Sequence, residues 1–205
     1  MNRVEIKNKA KEMIKGNKWY LWKPFVIYSL VVFCIAFVVG FALQAAGDAG
    51  KVISLIVECV LSFFEVAFLI AYAKYVIEFV RGNKMEWKEV FVFAKDHIWS
   101  FFVISFVVGL NIVIGSILLI IPGIIAAFGL FFYQEVAADN PDMGCMEVMK
   151  KSWEITNGHK MELFILMLSF IGWQIVASLT LGILYIWLFP YMTVTVILAY
   201  EELKK

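Results

Sequence analysis

Two stretches of this chain, Ile98 to Gln134 and Leu163 to Tyr200, contain no Asp, Glu, Lys, Arg or His. An α-helix rises ~1.5 Å per residue, so the first stretch drawn as one helix would be about 55 Å long, nearly twice the ~30 Å hydrocarbon core of a bilayer. Each must fold back on itself. The reversal in the first is predicted within GSILLIIPG, where Pro122 blocks helix continuation and Gly115 and Gly123 permit a tight turn. In the second, LGILYIWLFPY offers Gly182 and Pro190 as the corresponding breaks. A composition of 62% hydrophobic and 17% charged residues, with 19 Phe, excludes an ordinary soluble domain. The chain reads as an integral membrane protein.

Two further apolar runs precede these. Phe25 to Leu43 is uninterrupted, and Val52 to Val80 carries Glu58, Glu65, Lys74 and Glu78, so its last turns are expected to leave the inner face. Of the 18 Lys and Arg, 16 lie in the N-terminal arm, in 81–97, in 139–162 or at the C-terminus. The positive-inside rule then makes both termini and the two polar loops cytoplasmic. The expected fold is all-α: a polytopic membrane helix bundle of six transmembrane helices in three hairpins, with amphipathic cytoplasmic helices, in one domain over 1–205. A cleaved signal peptide over 1–46 is the competing reading of QAAGDAG, but the 23-residue polar start and 19-residue apolar run exceed its usual size.

Three polar tracts lead into spans. In ADNPDMGCMEVMKKSWEITNG, Asn140 can cap a helix over 141–156 that opens on Pro141 and ends at Asn157-Gly158, with Met146, Met149 and Trp153 on one face. VEIKNKAKEMIKGNKW ends at Gly16 before Trp19, Tyr20 and Trp22, and WKEVFVFAKDHIW is amphipathic too. Superposing Gly16 on Gly158 aligns Glu12 with Glu154 and Lys18 with Lys160, which divides the chain into units 1–80, 81–139 and 140–205, each a cytoplasmic helix plus a hairpin. The alternative is that any polar helix entering a membrane looks this way.

IPGIIAAFGLFFYQEVAADNP, KKSWEITNG, LSFIGW, LTLGILYIWLFPY and the terminal AYEEL resemble a group of bacterial multi-pass proteins called domain of unknown function 975, and AKEMIKGNKW fits the same pattern. The succession of IPG, a span and a SWEIT-G tract more loosely resembles the membrane domain of some glycerophosphodiester phosphodiesterases. The first resemblance implies about six spans in a bacterial cell membrane and no established activity. The second has its catalysis in a soluble domain that this chain lacks. Among the matching positions, Pro122, Gly123 and Asn140 read as turn or cap residues, and Ser152 as bonding a carbonyl one turn earlier. Asp139 and Tyr191 are kept as candidate site residues, Asp139 as a cation ligand or as the partner of a lysine on the following helix.

HExxH, GxSxG and GxxxxGK[ST] are absent, so no catalytic residue, cofactor or nucleic-acid partner is expected. Cys34, Cys59 and Cys145 have no metal-like spacing and read as packing residues. His97 and His159, at inner ends of spans, read as interfacial rather than metal-binding. Glu65 lies ~20 Å along its helix counted from Val52, where a carboxylate costs on the order of 3 kcal/mol and is expected to face the bundle interior. Glu58 and Tyr72 share its face, and Asn111 or Gln174 on other spans could supply an amide. The first functional reading is a non-enzymatic bundle that binds a lipid or other amphiphile, or a membrane-protein partner. The second is a transporter or channel component using Glu58 and Glu65, and an intramembrane enzyme is the third.

Overall fold

The computed structural model describes residues 2–43, 47–118, 120–180 and 182–205. In chain order the helices are α1 (Arg3–Ile14), α2 (Lys18–Leu43), α3 (Gly47–Val80), α4 (Trp87–Asp96), α5 (Ile98–Leu118), α6 (Ile120–Gly129), α7 (Tyr133–Asp139), α8 (Cys145–Thr156), α9 (Lys160–Leu179) and α10 (Tyr185–Leu203). Five of them, α2, α3, α5, α9 and α10, are long and apolar enough to cross a membrane. The stretch expected as the fourth crossing is divided into α6 and α7 by a turn at 130–132.

The axis is α3, whose 34 residues make a helix roughly 50 Å long, so about two fifths of it would lie beyond a ~30 Å bilayer core. Burial follows that division. From Ala67 onward α3 is packed by α2, α4, α5, α7 and α10, and Ile70, Ala71, Val76 and Ile77 are wholly buried. Before Ala67 it exposes Val52, Leu55, Ile56 and Phe64, while α2 exposes Phe33, Phe37 and Phe41. A continuous apolar surface on that scale needs a cover that water cannot supply.

The first charge-free stretch does reverse. A Cβ added to Gly123 would lie 2.7 Å from the Ser116 Cα, whereas in one continuous helix residues seven apart are separated by about 10 Å. The turn itself includes Leu119, which lies outside the described residues, as do Gln44–Ala46 of QAAGDAG and Leu181 of LGILYIWLFPY. Gly115 and Gly123 are not the turn residues they were expected to be. They sit where the two arms touch, with no room for a side chain, while Pro122 occupies the first turn of α6, where its missing N–H is harmless. Gly182, at φ 85°, does make a turn.

Pro190 is not a break either, for it lies inside α10, as Pro24 lies inside α2. A proline within a helix strips the carbonyl four residues earlier of its donor. For Pro24 that carbonyl belongs to Tyr20, and the Tyr75 hydroxyl donates to it at 2.9 Å. For Pro190 it belongs to Ile186, and the Trp22 indole N–H donates to it at 2.8 Å. Aromatic donors on neighbouring helices thus satisfy both gaps, as an apolar medium demands. Trp22→Phe should lower stability by about 1 kcal/mol, and by much less in a Pro190→Ala background, where the helix supplies its own N–H. Equal losses in the two backgrounds, measured by thermal unfolding in detergent, would separate Trp22 from the proline.

Two local readings are corrected. The helix expected over 141–156 begins at Cys145, with Gly144 as its N-cap, and Asn140 instead ends α7 and donates to the Val136 carbonyl. The buried face of α8 is Val148–Ser152–Thr156, while Met149 is half-buried against the core and Met146 is exposed. The reason lies in the break before α7. Ser152 and Thr156 both donate to the Gly129 carbonyl, at 3.3 and 3.0 Å, so α8 docks through these hydroxyls. Cys34 and Cys59, read as packing residues, are exposed on α2 and α3.

Candidate functional site

Two features stand out: an ion cluster where α3, α7 and α10 meet, and an apolar groove between α2 and α3.

Asp139, the last residue of α7, is the hub of the cluster. Its Oδ2 accepts from Arg81 at 2.6 Å, from Lys204 at 2.6 Å and from the Tyr200 hydroxyl at 3.1 Å, and its Oδ1 is 3.8 Å from the Lys74 ammonium. Arg81 and Lys204 also reach Glu201, while Lys74 pairs with Glu78 at 3.0 Å. The Asp139 side chain is only 9% exposed. Burial acts to raise its carboxyl, but Arg81 and then Lys204 outweigh that and hold it at about 2. Hollows of about 560 Å³, beside Asn140 and Lys151, and about 440 Å³, beside Glu5 and Lys9, flank the cluster. Every charge at the hub is matched, so its chemistry is that of a clasp joining three helices. Asp139 does not pair with the following helix, as the sequence allowed, but with helices distant in sequence.

One turn earlier on α7 lies Glu135, which sequence reasoning passed over. It is buried, and its Oε2 has no hydrogen-bond partner. Nothing in its neighbours QEVAAD separates it from an interfacial carboxylate; only the packing of α7 against α3, α5 and α8 does.

The groove has a volume of about 670 Å³ and is lined by apolar side chains of α2 (Val31, Val32, Ile35) and α3 (Val57, Val60, Phe64), with Tyr28, Phe91 and Trp87 around them. Two cations gather at the Trp87 end: the Lys23 ammonium is 5.4 Å and the Lys88 ammonium 5.6 Å from the Trp87 ring centroid. Burial on α2 stops at Pro24 and, Gly50 apart, the described residues of α3 before Ala67 are not buried, so these parts of the two helices are left with a furrow between them.

The polar stripe around Glu65 is not assembled. Glu65 and Glu58 are both exposed, contrary to the inward placement expected of Glu65. The physical reason is packing: α3 is left largely uncovered before Ala67, so a carboxylate at position 65 has no bundle interior to face. Tyr72 is buried and spends its hydroxyl on the Leu21 carbonyl at 3.0 Å. Asn111 is exposed and donates to its own helix at Val107, and the Gln174 amide is 3.8 Å from the Met192 sulfur. Among the described residues no hydrogen bond joins Glu65 to any of these three. Tyr191 is buried between Phe170 and Trp187. His97 contacts the Phe93 carbonyl and His159 the Glu162 carboxylate, so the two histidines serve different partners.

Helix composition makes this a multi-pass membrane protein with a groove open along its apolar surface. The family described as protein of unknown function (DUF975) matches residues 104–205, from within α5 through α10. That match carries the IPG, SWEIT and LFPY tracts, while AKEMIKGNKW lies outside it, and the resemblance to the phosphodiesterase membrane domain finds no support. No curated protein and no solved structure matches the chain.

Proposed function

We propose that the protein is a non-enzymatic membrane bundle whose α2–α3 groove holds the hydrocarbon chain of an amphiphile. The observation that carries the reading is the groove itself: about 670 Å³ of apolar space with two cations and an indole at one end. An acyl chain would fill the furrow while its polar end meets Lys23 and Lys88, the usual division of a lipid site into an apolar body and a few placed polar groups. Transport through Glu58 and Glu65 has less to recommend it, since both carboxylates are exposed on α3 and neither lines the groove. Val60→Trp should fill the furrow. Wild-type protein purified in a mild detergent should then carry about one extractable amphiphile per chain and the variant far less, with thermal stability little changed. Wild type without such a molecule, or a variant that retains it fully, would end this reading.

In this account α6 and α7 together complete the fourth of six crossings, both termini and the loop 139–162 are cytoplasmic, and the membrane is that of a bacterial cell. In a Cys-free background a single cysteine at position 150 should resist an impermeant thiol reagent added to intact cells, and one at position 48 should react. Labelling at position 150 from outside would invert the topology.

A further inference from the structure

The N-terminal helix presents a second arrangement, separate from the groove. Ile6, Ala10 and Ile14 of α1 are buried against α10. One residue along from each of the first two, Lys7 and Lys11 continue a line begun by Arg3, so three cations stand at successive helical turns about 6 Å apart. Neighbouring like charges at this spacing destabilise a helix. Among the described residues none of the three forms an ion pair with a carboxylate, although the chain provides such partners freely around Asp139. What they meet instead is neutral. The Lys7 ammonium donates to the Ser169 hydroxyl and lies 4.5 Å from the centroid of the Phe170 ring, and the Lys11 ammonium lies 5.8 Å from that of Tyr191. Tyr191 stacks on Trp187 at 4.8 Å, and Trp187 is 6.0 Å from Trp173, which is exposed.

We propose that the Arg3–Lys7–Lys11 line, whose two lysines stand over the buried rings of Phe170 and Tyr191, binds the phosphodiester headgroup of an anionic phospholipid. Three cations with no carboxylate paired to them among the described residues leave room for one anion to relieve their mutual repulsion. The free Lys7 ammonium is disfavoured by burial, then by Lys11 and Arg3, as a cation awaiting an anion would be. The lipid, rather than a soluble phosphate, follows from what adjoins the line: α9 exposes Ile165, Leu168, Ile171 and Ile175, a surface along which acyl chains can lie while the headgroup reaches α1. Basic residues at such a surface attract anionic lipid through an interaction that salt screens.

The test is thermal stabilisation of the purified full chain in neutral detergent by phosphatidylglycerol, phosphatidylcholine or free glycerol phosphate. Phosphatidylglycerol should stabilise wild type, and the other two should not. Lys7→Met with Lys11→Met should weaken the apparent affinity at least tenfold, while Lys9→Met with Lys15→Met, which removes equal charge elsewhere on the same segment, should leave it within about twofold. In wild type alone, raising NaCl from about 50 to about 500 mM should weaken binding strongly, a readout that survives if the double variant does not fold. Undiminished binding to the Lys7/Lys11 variant, salt-insensitive binding, or glycerol phosphate acting as well as the lipid would each overturn the proposal. Since the groove variant Val60→Trp leaves this line intact, it should bind phosphatidylglycerol as wild type does, which keeps the two sites experimentally distinct.

Discussion

Asp139→Ala should be the most damaging single substitution in the chain outside its apolar core, costing about 3–5 kcal/mol, because it strands Arg81, Lys204 and the nearby Lys74 around a vanished anion. Asp139→Asn keeps an acceptor but no charge, and should lose most of the same stability. If removal of the cations together, by Arg81→Met with Lys204→Met, restores much of what Asp139→Ala loses, the cluster acts as one unit. The same hub sets a pH dependence. A carboxyl held at about 2 when folded, against its ordinary 3.8, contributes stability that is fully present above the higher value and lost as pH falls through the lower. On the order of 2 kcal/mol should disappear between about pH 4 and pH 2. An Asp139→Asn protein should show a flatter acid limb in thermal melts, and an unchanged limb would assign the acid sensitivity elsewhere.

Gly129→Ala should come next. A Cβ there would stand 2.2 Å from the Cε3 and Cζ3 atoms of the Trp153 ring, deep inside van der Waals contact. The indole must move, and with it the helix whose Ser152 and Thr156 close the Gly129 carbonyl. Overpacking of this kind costs about 1–3 kcal/mol, and an orphaned carbonyl adds a comparable amount. The double variant Gly129→Ala with Trp153→Ala removes the collision while keeping both hydroxyls, so it should be closer in stability to Trp153→Ala alone than Gly129→Ala is to wild type. Hydrogen exchange across 145–156 gives the local readout, with faster exchange expected in Gly129→Ala. Unchanged exchange there would mean that α8 is held by something other than this contact.

These two sites mark the boundary of what the chain's order of residues discloses. The charge-free stretches disclosed an all-α membrane protein and a reversal near Gly115–Gly123, because length against bilayer thickness is arithmetic that tertiary contacts cannot change. The ends of α1 and α8 at Gly16 and Gly158 were equally plain, since both glycines take positive φ, at 86° and 78°. Pro190 misled because a proline's effect on a helix depends on whether a neighbour supplies the missing donor, and Trp22 is more than 160 residues away in sequence. The docking face of α8 was not legible for a related reason: Ser152 and Thr156 turn to the Gly129 carbonyl, a partner that no local pattern announces.

The candidate site divides in the same way. Asp139 stood out as a carboxylate at a helix end, but its partners come from α3 and α10, and no local pattern announces them. Glu65 was singled out because a carboxylate in an apolar run was expected to face inward, and no local pattern shows that α3 is left unpacked there. The groove left no local mark whatever, because Val31, Val32, Val57 and Val60 are ordinary span residues until two helices stand apart by the width of a chain.

That the furrow holds an amphiphile is tested most directly by photo-crosslinking in the native membrane, with a photoreactive phenylalanine analogue placed at Val60 in one protein and at Phe37, exposed elsewhere on α2, in another. After irradiation and purification, intact-mass measurement should show one discrete added mass in the chemical class of an amphiphile at position 60, and at position 37 only the low, mixed labelling of bulk lipid. The same mixed labelling at both positions would contradict the account, for it would make the groove no more than lipid-facing surface.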